Sequence, residues 1–342
     1  MKKIKLRLIS LIGVIIMVFT LTSCEGKDVT SKVINESLTS MTEEISSKVS
    51  KPENYTITLI TMNDAELYWQ IMNEGCEQAV EDLKKEKVNI NYTFSPVDAG
   101  KDEPMSEKLE QAIEKKNDAI LVTPTGRSSI LDHIELTKDS GIAVVLLDQL
   151  ADGDDWDAFY AHNNYEMGIL AGEKMLEQLK IARKTSGKIG IIGVNKDTES
   201  TMEREEGFRS VFKDKSYKLL DTEYTEGDPS LAEIYTKKII NEHELIGVFN
   251  VNYTNTIGVA GVIEEADKKD EIVLVGYDCS KESESFFESG AIDISINQDP
   301  YEIGYQGMMG TIKVLQGEKL NPKVIDLPPV VVTKDNYKEY FY

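Results

Sequence analysis

The chain predicts two similar α/β halves, each a doubly wound parallel sheet with helices on both faces. Three observations carry that prediction. First, six short apolar runs recur: Thr56–Asn63, Ala119–Pro124, Ile142–Asp148, Ile189–Val194, Ile246–Asn252 and Ile272–Asp278. Second, segments with helical spacing separate them, which is the signature of parallel βαβ units. Third, Asn63, Asp148, Asn252 and Asp278 close four of the runs. Ligands in such sheets bind outside the carboxyl ends of the strands, so these polar residues stand where a guest would be held. The pattern points to binding more than to chemistry.

The chain opens with a basic stretch, Lys2, Lys3, Lys5 and Arg7, followed by an apolar segment from Leu8 to Leu21. That segment has signal-peptide length and is short for a membrane span. It ends in Leu21-Thr22-Ser23-Cys24, which resembles the lipobox of bacterial lipoproteins. The resemblance implies that residues 1–23 are a removed signal peptide and that Cys24 is lipidated. Residues 24–54, rich in Ser, Thr, Glu and Lys, read as a tether with a weak helix around Leu38 to Val49. Two other cysteines remain, Cys76 and Cys279, which read as free buried thiols.

From Tyr55 onward the pattern is regular. The first helix carries Leu67, Ile71, Gly75 and Ala79 on one stripe. Further helices are expected near Met105–Lys116, Ser128–Asp139, Glu166–Ile181, Thr201–Phe212, Ser230–Asn241, Thr254–Asp267 and Tyr301–Leu315. A break near Ala161–Asn164 separates the halves, and the chain returns to the first half near Asn297–Pro300. The run Asp326–Val332 crosses once more. The expected organisation is residues 55–163 with 299–327 in one lobe and 164–298 with 328–342 in the other, with three crossings forming a hinge below a cleft.

Composition bounds the function. The 342 residues suffice for two cores, and 41% hydrophobic with 29% charged content is that of a globular protein. A net charge of −22 argues against nucleic acid, whose binding requires basic patches that displace counterions. It would also be repelled by an anionic membrane surface, so attachment must be covalent or through a partner. The acidic insert Asp152–Asp157 lacks the alternating ligands and closing Glu of an EF-hand loop and reads as a solvated turn, with no metal expected. No cofactor motif is present.

The stretch from Tyr55 to Tyr342 resembles the solute-binding proteins of bacterial sugar ABC transporters, in the ribose/galactose group. The likeness rests on an ordered set of short motifs. Tyr68-Trp69 with Gly75 and Ala79 resembles the first-helix aromatic pair and glycine, and Thr123-Pro124 the proline after a core strand. Asp148 closes a strand as in the family. Asn163-Asn164 with Gly168, Arg204 with Gly207-Phe208, and Phe249–Asn252 with Gly258 match in register. So do Gly276-Tyr277-Asp278 and Ile296–Pro300 with Gly304. The resemblance implies two Rossmann-like domains joined by three strands, the type I periplasmic binding protein fold, with the ligand enclosed between them. DNA-binding repressors share that fold, yet here a lipoprotein signal stands where their helix-turn-helix would be.

A sugar offers hydroxyls in fixed directions and an apolar face of C–H groups. Carboxylates, amides and guanidinium groups match the first, and aromatic rings the second. Carried over by position, Asn63 or Asp64, Asp148, Arg204, Asn252, Asp278 and Gln298 would form a polar ring. Tyr68 and Trp69 would stack on the sugar, at least one of them facing the cleft, and Tyr277 would add a second wall. Arg204 is expected to keep Asp148 or Asp278 ionised. The chain departs from the family at Gln149, where an arginine often follows the strand-end aspartate. Its first loop is also longer and more acidic, so that Asp64 or Glu66 could favour a polyol, an amino sugar or another cation-bearing solute.

The reading is a lipid-anchored receptor, facing the extracellular or periplasmic side, that delivers a monosaccharide or similar polyol to an ABC permease. It is expected to be a monomer and no enzyme. A sensory receptor of the same fold, signalling to a membrane kinase or chemoreceptor, is the alternative, and a cleft hydrolase a weaker one. There is no Walker A, H-E-x-x-H or G-x-S-x-G sequence, and His133, His162 and His243 have no evident nucleophile beside them.

Overall fold

A computed structural model describes residues 53–64, 66–98 and 104–340. The expected signal peptide, Cys24, the helix expected around Leu38 and nearly all of the expected tether lie outside the described residues. Each of the six apolar runs contributes a strand. These are β1 (Glu53–Ile60), β3 (Ala119–Val122), β4 (Ala143–Leu147), β6 (Gly187–Gly193), β8 (Leu245–Asn250) and β9 (Val273–Tyr277). Six more strands fall outside those six runs: β2 (Val88–Phe94), β5 (Ala158–Ala161), β7 (Tyr217–Tyr224), β10 (Ile294–Asn297), β11 (Val324–Asp326) and β12 (Val330–Val332), the last of them within the crossing run Asp326–Val332. β2 does so because its burial alternates along the strand and leaves no continuous apolar stretch.

The strands form two sheets, ordered β11-β5-β4-β3-β1-β2 and β12-β10-β9-β8-β6-β7. β1, β3, β4, β5 and β11 pair in parallel, as do β7, β6, β8, β9 and β10, while β12 joins β10 antiparallel. The two sheets repeat one another in strand order, and differ only in the direction of the last strand, β11 being parallel and β12 antiparallel to its neighbour. Each has its topological switch point beside its first strand, and crevices for ligands open at such points.

Nine helices are described: α1 (Leu67–Lys85), α2 (Met105–Glu114), α3 (Leu131–Asp139), α4 (Asn164–Ile181), α5 (Glu199–Val211), α6 (Pro229–Glu242), α7 (Tyr253–Glu265), α8 (Glu284–Ser289) and α9 (Pro300–Leu315). Each sheet has a buried apolar cluster on either face. Among the described residues no helix is long and apolar enough to cross a membrane. The stripe expected on α1 holds at Gly75 and Ala79 but not at Leu67, which is 53% exposed, and the buried face also takes in Trp69, Met72, Cys76 and Leu83.

Close helix crossings fix both halves. A Cβ at Gly304 of α9 would stand 2.0 Å from the Met72 carbonyl oxygen of α1, and one at Gly168 of α4 would stand 2.1 Å from that of Arg204 in α5. Only a bare backbone allows these approaches. They set how α1 and α5 present their first turns.

The chain passes between the sheets three times: between β5 and α4, between β10 and α9, and between β11 and β12. His162, 5% exposed, ties all three crossings together. Its Nε2 accepts from the Asp299 backbone N–H at 2.8 Å, which leaves Nδ1–H to donate to the Leu327 carbonyl at 2.9 Å.

Candidate functional site

The site is assembled at the carboxyl ends of the two sheets. Asp148 directly follows β4 and Asp278 directly follows β9, and both aspartates adopt left-handed backbone, with φ of 62° and 49°. Asp is among the few residue types that enter this region readily, and the turn lifts each side chain off its strand. Each backbone N–H is held by the neighbouring strand: Asp148 donates to the Tyr160 carbonyl at 2.9 Å, Asp278 to the Ile296 carbonyl at 3.2 Å.

A cavity of about 490 Å³ lies between them. Glu66, Tyr68, Trp69, Asp148 and Gln149 line it from the side of the first sheet. Ser200, Arg204, Tyr253, Asp278 and Gln298 line it from the side of the second. Its size and mixed lining are those of a small-molecule site. A smaller cavity of about 220 Å³, lined by Arg127, Glu199 and His162, shares Asp148, Gln149 and Ser200 with the first. At its edge Arg127, from the β3–α3 connection, donates to the Glu199 carboxylate at the start of α5 through two bonds of 2.6 and 2.8 Å.

Asp148 accepts from the Tyr68 hydroxyl at 2.6 Å and from the Gln149 amide at 3.2 Å. A part of its surface still faces the cavity, but the protein packed around it desolvates the carboxyl and pushes its pKa up, against the opposing pull of these bonds and of Arg204. Burial and the neighbouring Asp148 carboxylate also raise Tyr68, which therefore stays a hydroxyl donor. Asp278 accepts from the backbone N–H and side-chain amide of Gln298, at 3.0 and 3.3 Å.

Of the residues singled out in the sequence, Tyr68, Trp69, Asp148, Arg204, Asp278 and Gln298 come together around this one cavity. Asn63, Asp64 and Asn252 are not among its lining residues. Asn63 braces the loop before α1, accepting from the Glu66 backbone and donating to the Glu66 carboxylate. Asp64 is exposed, and its carbonyl accepts from Gln70. Asn252 caps α7, accepting from the Asn255 N–H at 3.1 Å.

Two expectations need correction or refinement. Tyr277 is no wall of the cavity: it is fully buried beside Phe249, because an inward-facing position precedes the strand end. Arg204 does favour the ionised form of Asp148, but only through space: among the described residues it pairs directly with neither aspartate. Its Nε donates to Asn164, its Nη1 to the Val251 carbonyl, and its guanidinium lies 4.6 Å from the centre of the Tyr277 ring. Both members of the aromatic pair line the cavity. Tyr68 and Trp69 meet edge to face at 4.8 Å, with Trp69 only 5% exposed. Sequence reasoning missed Tyr253 and Ser200 as lining residues. Their signal was position alone, on the first turns of α7 and α5 beside the cleft.

Residues 57–319 match the periplasmic binding protein domain family. The chain belongs to that family. Among its relatives, the ribose import binding protein of Salmonella typhimurium is 22% identical over 299 residues, covering 86% of this chain and 96% of the relative. The D-allose-binding periplasmic protein of Escherichia coli is 23% identical over 282 residues, covering 80% and 86%. Among solved structures, a sugar-binding protein of a Bacillus halodurans ABC transporter superposes with a TM-score of 0.75 at 23% identity, covering 84% of this chain and all of the other. An Agrobacterium radiobacter carbohydrate solute-binding protein in complex with D-arabinose is 26% identical with a TM-score of 0.68, covering 85% and 97%. This periplasmic binding protein shares with those solved structures a fold built on two parallel sheets.

Proposed function

We propose that this protein is a lipid-anchored receptor that captures a monosaccharide or similar polyol between its lobes and hands it to an ABC permease. The observation that carries the reading is the meeting of Asp148 and Asp278, strand-end carboxylates from different sheets, around one cavity lined by Tyr68, Trp69 and Tyr253. Carboxylates accept two sugar hydroxyls each, and aromatic faces cover the C–H surface of the ring. Sugar ligands named for relatives, ribose, allose and D-arabinose among them, support the guest class.

In this reading residues 55–163 with 299–327 and residues 164–298 with 328–342 are lobes that close on the guest. The guest bridges both rims only in the closed form, and its differential affinity shifts the population toward that form. The receptor works as a monomer. Cys24 carries the anchor that holds this acidic body at the outer face of the membrane, and the closed lobes dock on the permease. A thermal-shift screen of pentoses, hexoses and polyols on protein lacking residues 1–24, followed by calorimetry, tests the binding. A sugar hit with micromolar or tighter affinity is expected, and no hit across the panel contradicts the reading. Cys24→Ala is expected to release the protein from the membrane fraction.

A further inference from the structure

We propose that the natural guest is a polyhydroxylated amine, with a protonated nitrogen on a sugar-like frame, and not a neutral sugar. The inference rests on the sugar-receptor reading and narrows its substrate class. The charged side chains lining the cavity are Glu66, Asp148 and Asp278 against Arg204 alone. Arg204 is already engaged within its own lobe, by Asn164, the Val251 carbonyl and the Tyr277 ring.

Every hydrogen-bond partner given for the two aspartates is neutral: a phenol and an amide for Asp148, a backbone N–H and an amide for Asp278. A carboxylate held in a desolvated cleft without a cation is costly, and a cation delivered by the guest removes that cost. Burial raises the Asp148 carboxyl despite its two donors and the more distant Arg204 and His162, neither of which hydrogen-bonds it. The walls suit an ammonium group as well. Tyr68, Trp69 and Tyr253 line the same space, and a cation is attracted to aromatic faces.

A second observation fixes the rest of the guest. The indole N–H of Trp69 has no acceptor, although the residue is 5% exposed and lines the cavity. A buried donor in such a place calls for an oxygen acceptor, which a hydroxyl or ring oxygen supplies. Carboxylated guests such as uronic acids are disfavoured by the same three carboxylates.

The test is calorimetry at neutral pH on matched guests: D-glucosamine, D-glucose and N-acetyl-D-glucosamine, the corresponding galactose set, and 1-deoxynojirimycin as a cationic polyol. We expect an amine to bind at least about tenfold tighter than its neutral and acetylated counterparts, the size of one charge-assisted hydrogen bond. Asp148→Asn is expected to abolish that preference, with the far-ultraviolet circular dichroism of the variant unchanged. A neutral sugar that binds as well as or better than its amine overturns the inference and leaves the receptor reading standing. Binding by none of these guests overturns the inference as well, while the receptor reading is decided by the screen of pentoses, hexoses and polyols.

Discussion

The two strand ends that face the cleft occupy equivalent places and are held by different means. Asp148 and Asp278 both follow the fourth strand of their sheet in chain order, both turn through left-handed backbone, and both donate to the adjacent strand. Around Asp148 the donors are side chains, Tyr68 and Gln149. Around Asp278 one donor is the backbone of Gln298, in the crossing from β10 to α9. The first carboxylate is therefore tied to the aromatic wall and the second to the waist of the molecule. The difference teaches that duplicated architecture fixes where a functional group stands, while its local partners fix what it responds to.

The largest expected effect tests how far the equivalence extends. Gly304→Val and Gly168→Val each force a side chain into the backbone of the facing helix. Each is expected to lower stability by about 3 kcal/mol, the upper end of ordinary overpacking, in urea denaturation. Markedly unequal losses would break the equivalence of the two crossings.

A second pair of aspartates sharpens the contrast. Asp157 accepts from the Val144 N–H and is paired with the Lys138 ammonium at 2.6 Å. Asp293, its counterpart, accepts from the Leu274 N–H, and burial pushes it up to about 6. An unfolded aspartate titrates near pH 3.9. The native state therefore takes up this proton first as pH falls, so the contribution of Asp293 to stability is complete below about pH 4 and is lost as pH rises through about 6. The loss is about 2–3 kcal/mol across that window. Asp293→Asn is expected to flatten that part of the stability profile, whereas Asp157→Asn leaves it in place. Unfolding curves from pH 4 to 7 measure both.

Smaller effects separate the two cleft carboxylates. Tyr68→Phe removes one donor from Asp148 and is expected to weaken guest binding about fivefold, near the net value of one hydrogen bond. Gln298→Ala leaves the backbone donor to Asp278 in place and is expected to cost less. Equal losses would show that the backbone bond does not steady Asp278. The smallest effect is at Arg127 and Glu199, whose ion pair links the two sides of the cleft from largely exposed positions. Glu199→Gln is expected to change affinity by less than about fivefold, with added salt erasing the difference.

Much of the fold was legible because buried parallel strands are written as unbroken apolar runs, such as Ala143–Leu147, and their positions survive any rotation of the helices. Edge and short strands were not, since β2 alternates and β11 spans only three residues. In the site, Asp148 and Asp278 were legible from their place at strand ends. Asn252 was harder, because a residue that closes a strand also opens a helix, and here its side chain serves the helix. Tyr277 was misplaced because the side that a strand's last ring faces depends on register, which a motif does not state. The partners of Arg204 come from the residue after β8 and from the start of α4, distant in sequence and invisible without the fold.

The account stands on one claim, that carboxylates from both halves grip the same guest. Calorimetry of Asp148→Ala and Asp278→Ala with the tightest guest from the screen tests it most directly. Each variant is predicted to lose more than about tenfold in affinity, the cost of a charge-assisted hydrogen bond. Wild-type affinity in either variant contradicts the claim.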